Sequence, residues 1–188
     1  MENGFNSLKG HFLLAMPGLQ DPNFFQTVSL ICEHNDNGAF GIVINRVHAH
    51  LSGKDIFSEL KIEQVPAVES LPVHIGGPVH NGEIFLVHGP PFHWDSCLMV
   101  TPTIAMSNTR DILESIARGS GPPKLILSLG CAGWGPGQLE SEIMENAWLT
   151  LPAIEDVLFG WPVEHRWEEA VKRMGIDPAL LANTAGNA

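Results

Sequence analysis

The chain alternates short apolar runs with clusters of Gly, Pro, Asn and Asp, a pattern that predicts a sheet-rich fold with a few covering helices. Gly10 to Met16 is an apolar run closed by Pro17-Gly18, Gln26 to Glu33 is rich in Val, Ile and Leu, and Ala39 to Asn45 is a third run. The residues between the last two, His34-Asn35-Asp36-Asn37-Gly38, tolerate positive φ, so those runs are expected to pair as a β-hairpin. Val73 to Ile75, Glu83 to His88 and Cys97 to Thr101 read as shorter strands, set off by Gly76-Gly77-Pro78, Asn81-Gly82 and Gly89-Pro90-Pro91. Lys124 to Leu129 is almost wholly apolar, the signature of a central strand covered on both faces.

Helical periodicity appears in fewer places. Ser52 is placed to cap a helix through Leu60, with Asp55 three residues on near the positive end of the helix dipole. From Thr109 to Arg118, Ile112, Leu113, Ile116 and Ala117 share one face and Gly119 supplies a stop. Val163, Trp167, Ala170, Val171 and Met174 recur at helical spacing up to Gly175, and Asp177-Pro178 opens one more short helix through Ala182. No repeat or linker divides the chain, so residues 1–188 are read as one domain.

The sharpest local feature runs from Ser128 to Glu140, where four glycines are expected to separate the central strand from a helix. With Gly135 as cap, Pro136 takes the first helical position and Gln138 folds back as a capping partner, leaving Leu139, Ile143 and Ala147 inward. A strand, turn and helix in this order can bind an anion, but the segment has neither a Gly-Lys-Ser/Thr ending nor dinucleotide-type glycine spacing. Cys131 or Ser128 could be a nucleophile at an elbow, yet Leu129 stands where a Cys131 elbow needs a small residue, so Cys131 is read as an inert thiol and Ser128 fits no better. Glu142 and Glu145 share a helical face and paired carboxylates can do acid–base work; the plainer reading is a dipole-favoured Glu140 and solvated neighbours. Neither His88, His93 and Cys97 nor His48 and His50 match metal-ligand spacing, and no metal or other cofactor is expected. Trp134 and Trp148 bracket the helix and can line a recognition surface, whereas Trp167 lies on an inward stripe.

Charge narrows the partners. The formal net charge is -11, and the ten Lys and Arg residues are scattered. That disfavours direct contact with nucleic acid, which draws affinity from clustered phosphate contacts. The segment Met1 to Gly10 lacks the build of a signal peptide, and no run approaches the roughly 20 apolar residues of a membrane span. Cys32, Cys97 and Cys131 form no paired motif, which suits a reducing compartment and hence the cytoplasm.

Taken together, Gly10-x-Phe12-Leu13-Leu14-Ala15-x-Pro17-Gly18, Asp21-Pro22-x-Phe24, the hairpin through Gly41-x-Val43-x-Asn45-Arg46, Gly76-Gly77-Pro78-Val79, Gly133 to Glu140 and Trp148-Leu149 closely resemble the bacterial YqgE/AlgH family. Cys131 departs from that pattern, where an aromatic residue commonly precedes Ala-Gly-Trp. The resemblance implies an α/β (α+β) sandwich with a mixed, partly barrel-like sheet flanked by helices. It implies no particular reaction, although one branch carries a transcriptional-regulator label. The function expected is that of a non-enzymatic regulatory or partner-binding protein, presenting a shallow groove to a protein or small ligand. Pro17, Gly18, Asn45, Gly133, Trp134, Gly135, Gly137, Gln138 and Glu140 are its candidate binding residues. The alternatives are an enzyme using Glu140, His88 or Cys131 beside the glycine turn, and a direct DNA-binding regulator.

Overall fold

One ten-stranded sheet runs through the protein, whose structure, a computed structural model, describes residues 6–184. The first five residues of the segment inspected for a signal peptide lie outside them. The strands are β1 His11–Ala15, β2 Val28–Asn35, β3 Gly38–Val43, β4 Val47–Ser52, β5 Pro72–Ile75, β6 Val79–His88, β7 Leu98–Thr101, β8 Ile104–Ser107, β9 Leu125–Trp134 and β10 Trp148–Pro152. The helices are α1 Gly53–Glu59, α2 Arg110–Ala117, α3 Gln138–Met144, α4 Arg166–Arg173 and α5 Pro178–Thr184. Strand order is β10-β1-β2-β3-β9-β6-β8-β7, with β5 beside β9 and β4 beside β5. Every pair is antiparallel except β5 with β9, so the fold is α+β and the sheet is mixed, as expected.

The sheet is not closed into a barrel, which corrects the partly barrel-like expectation. The terminal strands β10 and β7 each pair on one side only, with β1 and β8. One face of the sheet is covered instead by Val157, Leu158, Ala170 and Val171, which pack with Phe12, Leu14, Leu30, Ile42, Val87 and Ile104.

The expected hairpin forms through a two-residue turn at Asp36 and Asn37, with Asn35 opposite Gly38. At α1, the Asp55 carboxylate accepts hydrogen bonds from the Ser52 backbone N–H and hydroxyl, as the capping pattern requires. The apolar stripe of α2 is buried as a block with Phe57, Val73, Leu86 and Leu127. Three strands carry no clear sequence signal: β4 has mixed polarity, β8 has four residues, and β10 directly follows a helix.

The largest departure concerns β9. The glycines from Gly130 onward do not leave the sheet; the strand continues to Trp134, and only Gly135-Pro136-Gly137 turn into α3. The reason is pairing. Leu127 to Leu129 lie beside β5, whereas Ala132 to Trp134 lie beside β3, and β6 covers the other edge. Between the two neighbours Gly130 adopts φ +74, a left-handed conformation that favours glycine. One residue out of phase reverses the faces of a strand. Accordingly Leu127 and Leu129 pack with α1 and α2, Cys131 faces the opposite core, and Ala132 and Trp134 return to the first side against α3.

Gly76 and Gly77 fit against this bulge. The Gly76 amide donates to the Leu129 carbonyl and its carbonyl accepts from Val43, so one residue joins β9 to β3. Gly77 has φ +148, and a Cβ there would lie 2.2 Å from the Cys131 carbonyl oxygen. Gly77→Ala is therefore expected to destabilise the fold by about 2–4 kcal/mol, combining strain with a backbone clash. Denaturant unfolding checks it, with Gly82→Ala, where a Cβ meets open space, as control.

Candidate functional site

The segment from Gly133 to Glu140 is held by a dense set of side-chain bonds. The Gln138 carbonyl oxygen accepts from the Gly135 N–H at 3.0 Å, so the fold-back predicted for Gln138 is present, although the residue before the helix is Gly137 with φ +72. The Gln138 amide nitrogen donates to Glu142 at 2.8 Å. The other Glu142 oxygen accepts from the indole N–H groups of Trp134 at 3.0 Å and Trp148 at 2.8 Å. The two indoles are only 5% and 4% exposed, and the Phe24 ring packs on both. Trp134, expected to line a groove, thus forms part of a filled core with Leu13, Ile31, Ala132 and Leu139. Gly133, Gly135, Gly137 and Gln138 remain exposed around it. Pro17 and Gly18 enter the same neighbourhood through the Met16 N–H, which donates to the Ala147 carbonyl.

The candidate acids, bases and nucleophiles have structural partners. Glu140 accepts from His34 Nε2 at 3.0 Å, while His34 Nδ1 accepts from the Leu8 N–H at 3.0 Å; the second bond places the ring proton on Nε2. Buried His88 spans the Gly89 carbonyl and the Ser107 hydroxyl, and burial pushes its pKa down. Cys131 is buried and its thiol is pushed up to about 11 by desolvation, the reverse of an activated nucleophile. Ser128 is buried beneath the bulge. Among the described residues no group of three His, Cys, Asp or Glu side chains could hold a metal ion.

Open space lies elsewhere, on both sides of the loop from Asp21 to Gln26. Arg46 Nη1 donates to the Pro22 and Asn23 carbonyls at 2.7 and 3.0 Å, and Nη2 donates to Phe25 at 2.7 Å. Asn45 donates to the Gln26 carbonyl and accepts from the Val28 N–H, both at 2.8 Å. These bonds hold Gln26 at φ +53, a conformation that costs a side-chain-bearing residue about 1–3 kcal/mol. Phe24 anchors the loop on the two tryptophans, while Phe25 is 45% exposed. One flanking cleft of about 390 Å³ is walled by Asn23, Arg46, His48, Pro78 and Asn81. The other, of about 620 Å³, is lined by Phe25, Asn45, Trp167, Glu168 and Pro178. Of the candidate binding residues only Asn45 lines either cleft. Phe25 and Arg46 were not on that list, though Asp21-Pro22-x-Phe24 and Asn45-Arg46 belong to the sequence pattern and were the available signal.

A second feature had no sequence signal, because its members are 92 residues apart. Arg166, 6% exposed, donates through Nε to the Trp161 carbonyl at 3.0 Å and through Nη1 to the Ile44 carbonyl. The same Nη1 lies 3.4 Å from His74 Nε2. Burial and the adjacent guanidinium push His74 down to about 4, and burial lowers Arg166 to about 10. The Leu127 backbone opposes the His74 shift without meeting hydrogen-bond geometry at Nδ1, which is left without a partner.

A family model described as AlgH-like matches residues 12–179. A UPF0301 protein of Desulforapulum autotrophicum is 50% identical over 181 residues, covering 96% of both chains. The UPF0301 protein YqgE of Escherichia coli is 42% identical, covering 97% of this chain and 100% of its own. The solution structure of the AlgH protein from Pseudomonas aeruginosa superimposes with a TM-score of 0.81 at 41% identity, covering both chains completely. A crystal structure of a Corynebacterium diphtheriae protein shares the fold, with a TM-score of 0.73 at 23% identity, covering 98% of this chain and 94% of its own.

Glu142→Ala strands two buried indole donors and is expected to cost about 1–3 kcal/mol, with a change in tryptophan fluorescence on the native baseline. Stability should also depend on pH through His74. Its folded value lies below the unfolded value of 6.5, so its contribution is complete above pH 6.5 and is lost as pH falls towards about 4. The loss is about 3 kcal/mol, His88 adds in the same direction, and His74→Gln should flatten the profile measured by denaturant titration.

Proposed function

This chain belongs to the AlgH-like family, and we propose that it is a non-enzymatic protein that binds a partner protein through the loop from Asp21 to Gln26. One observation carries the reading. A side-chain-bearing residue, Gln26, is held in a left-handed conformation by Asn45 while Arg46 fixes the loop's carbonyls, and the result presents Phe25 to solvent between two clefts. Strain of this kind persists only where the surroundings over-determine it, and a rigid aromatic loses little entropy on binding. The residues that build the device include Asp21, Pro22, Phe24, Asn45 and Arg46, all from the family pattern. Of the expected binding set, Asn45 positions the loop, and Trp134 carries its Phe24 anchor.

The competing readings draw less support. Glu140, His88 and Cys131 are each engaged in a structural bond or buried in a core, which weakens the case for these three as acid–base or nucleophilic groups. Six of the ten basic residues, Lys9, Arg110, Arg118, Lys124, Lys172 and Arg173, form ion pairs with carboxylates, and Arg46 and Arg166 hold backbone carbonyls. Few cations are left for phosphates. No helix among the described residues is long and apolar enough to cross a membrane. The three free cysteines accord with work in the cytoplasm.

Tagged wild type and Phe25→Ala, exposed to bacterial lysate and compared by quantitative mass spectrometry, provide the test. At least one protein retained by wild type should fall by more than about tenfold with Phe25→Ala, the loss of an aromatic anchor. Unfolding stability should stay within about 0.5 kcal/mol of wild type. Identical capture by both proteins rejects the reading. Trp134→Ala is unsuitable here, because it removes a core side chain.

A further inference from the structure

We propose that the cleft beside Arg166 binds a small molecule carrying a single carboxylate on an apolar body. This site shares Glu164 with the cleft beside Phe25 but none of the residues of the Asp21 to Gln26 loop. The cleft measures about 390 Å³, within the range of small-molecule sites, and its walls include Leu71, Pro72, Phe159, Trp161, His74 and Arg166. Two aromatic rings and two aliphatic side chains suit an apolar body. Arg166 supplies the polar end.

A buried charge is normally paired, because removing it from water is costly without a counter-ion. Arg166 is more than nine-tenths buried, yet among the described residues no carboxylate lies within ion-pair distance of it; Glu164 acts on it only from farther away, through its charge. Its Nε and Nη1 are held by the Trp161 and Ile44 carbonyls, which fixes the plane of the guanidinium. Among the described residues Nη2 has no hydrogen-bond partner, and it is the open donor edge that a carboxylate can take. His74, neutral through burial, leaves the guanidinium as the sole cation among the described residues that line the cleft. One positive charge matches a monoanion. Glu164, exposed at the rim of the same cleft, opposes a second negative charge, and this selects a carboxylate over a phosphate dianion.

The full chain, labelled with ¹⁵N, is titrated with 3-phenylpropionate, 3-phenylpropionamide and inorganic phosphate, following the Trp161 indole and Arg166 Nε–H resonances. The acid should shift both saturably with a Kd of about 1 mM or tighter, and the isosteric amide at least about tenfold more weakly. Arg166→Gln should abolish binding. Because that variant loses core hydrogen bonds, Glu164→Gln gives the second reading: an exposed repulsive charge is removed and affinity for the acid should rise about two- to fivefold. Phe25→Ala should leave the titration unchanged. The proposal is overturned by absence of a saturable shift, by equal affinity for acid and amide, by tighter binding of phosphate than of the acid, or by a Glu164→Gln affinity equal to or below wild type.

Discussion

The bulge at Gly130 is the constraint on which the rest of the structure depends. A strand presents alternate residues to opposite faces, and β9 must serve two neighbours along one edge, β5 and then β3. A left-handed residue between them resets the alternation, so the same strand packs α1 and α2 with Leu127 and Leu129 and α3 with Ala132 and Trp134. The opposite edge accommodates the reset as well: β6 pairs Val79 with Cys131 and Ile84 with Leu129, carrying the four residues between them out of register. Gly76 and Gly77 lie where any side chain would meet the β9 backbone or the Ser128 hydroxyl. Gly76, Gly77 and Gly130 therefore sit together where three strands meet.

The polar residues around α3 follow from that arrangement. Once Trp134 is turned inward beside Trp148, two indole N–H groups need an acceptor, and one Glu142 oxygen serves both. Gln138 then ties the same carboxylate to the Gly135 turn. A segment rich in residues usable for chemistry is in this way committed to satisfying buried donors. Phe24, lying on the two tryptophans, extends the cluster to the loop that displays Phe25, so the packed core and the exposed ring are neighbours in sequence and structure.

Two arginines share a role that charge counting does not reveal. Arg46 and Arg166 both direct guanidinium donors at backbone carbonyls, the first to shape a surface loop, the second to join the Trp161 turn to the end of β3. A planar fork of five donors can order irregular backbone that has no ladder of its own. Each arginine also lines a cleft, Arg46 the two beside the Phe25 loop and Arg166 the one beside Trp161.

The sequence by itself determined the local elements with strong periodicity or capping chemistry. The β2–β3 hairpin, the Ser52 and Asp55 start of α1, the buried stripe of α2 and the Gln138 fold-back were all legible, because each depends on residues within a few positions of one another. It did not determine the course of β9, since glycines in a row read equally as a turn or as a strand whose neighbours change. Strands β4, β8 and β10 were hidden for a related reason: short or mixed-polarity segments become strands only when a partner supplies the hydrogen bonds. The candidate surface followed the same division. The motifs holding Asn45, Arg46 and Phe24 were visible, but only the tertiary structure decided that Trp134 faces inward, that Phe25 faces outward, and that Arg166 meets His74 across 92 residues. Burial and long-range contact are properties of the assembled chain, and they assign to each side chain either a packing role or a free surface.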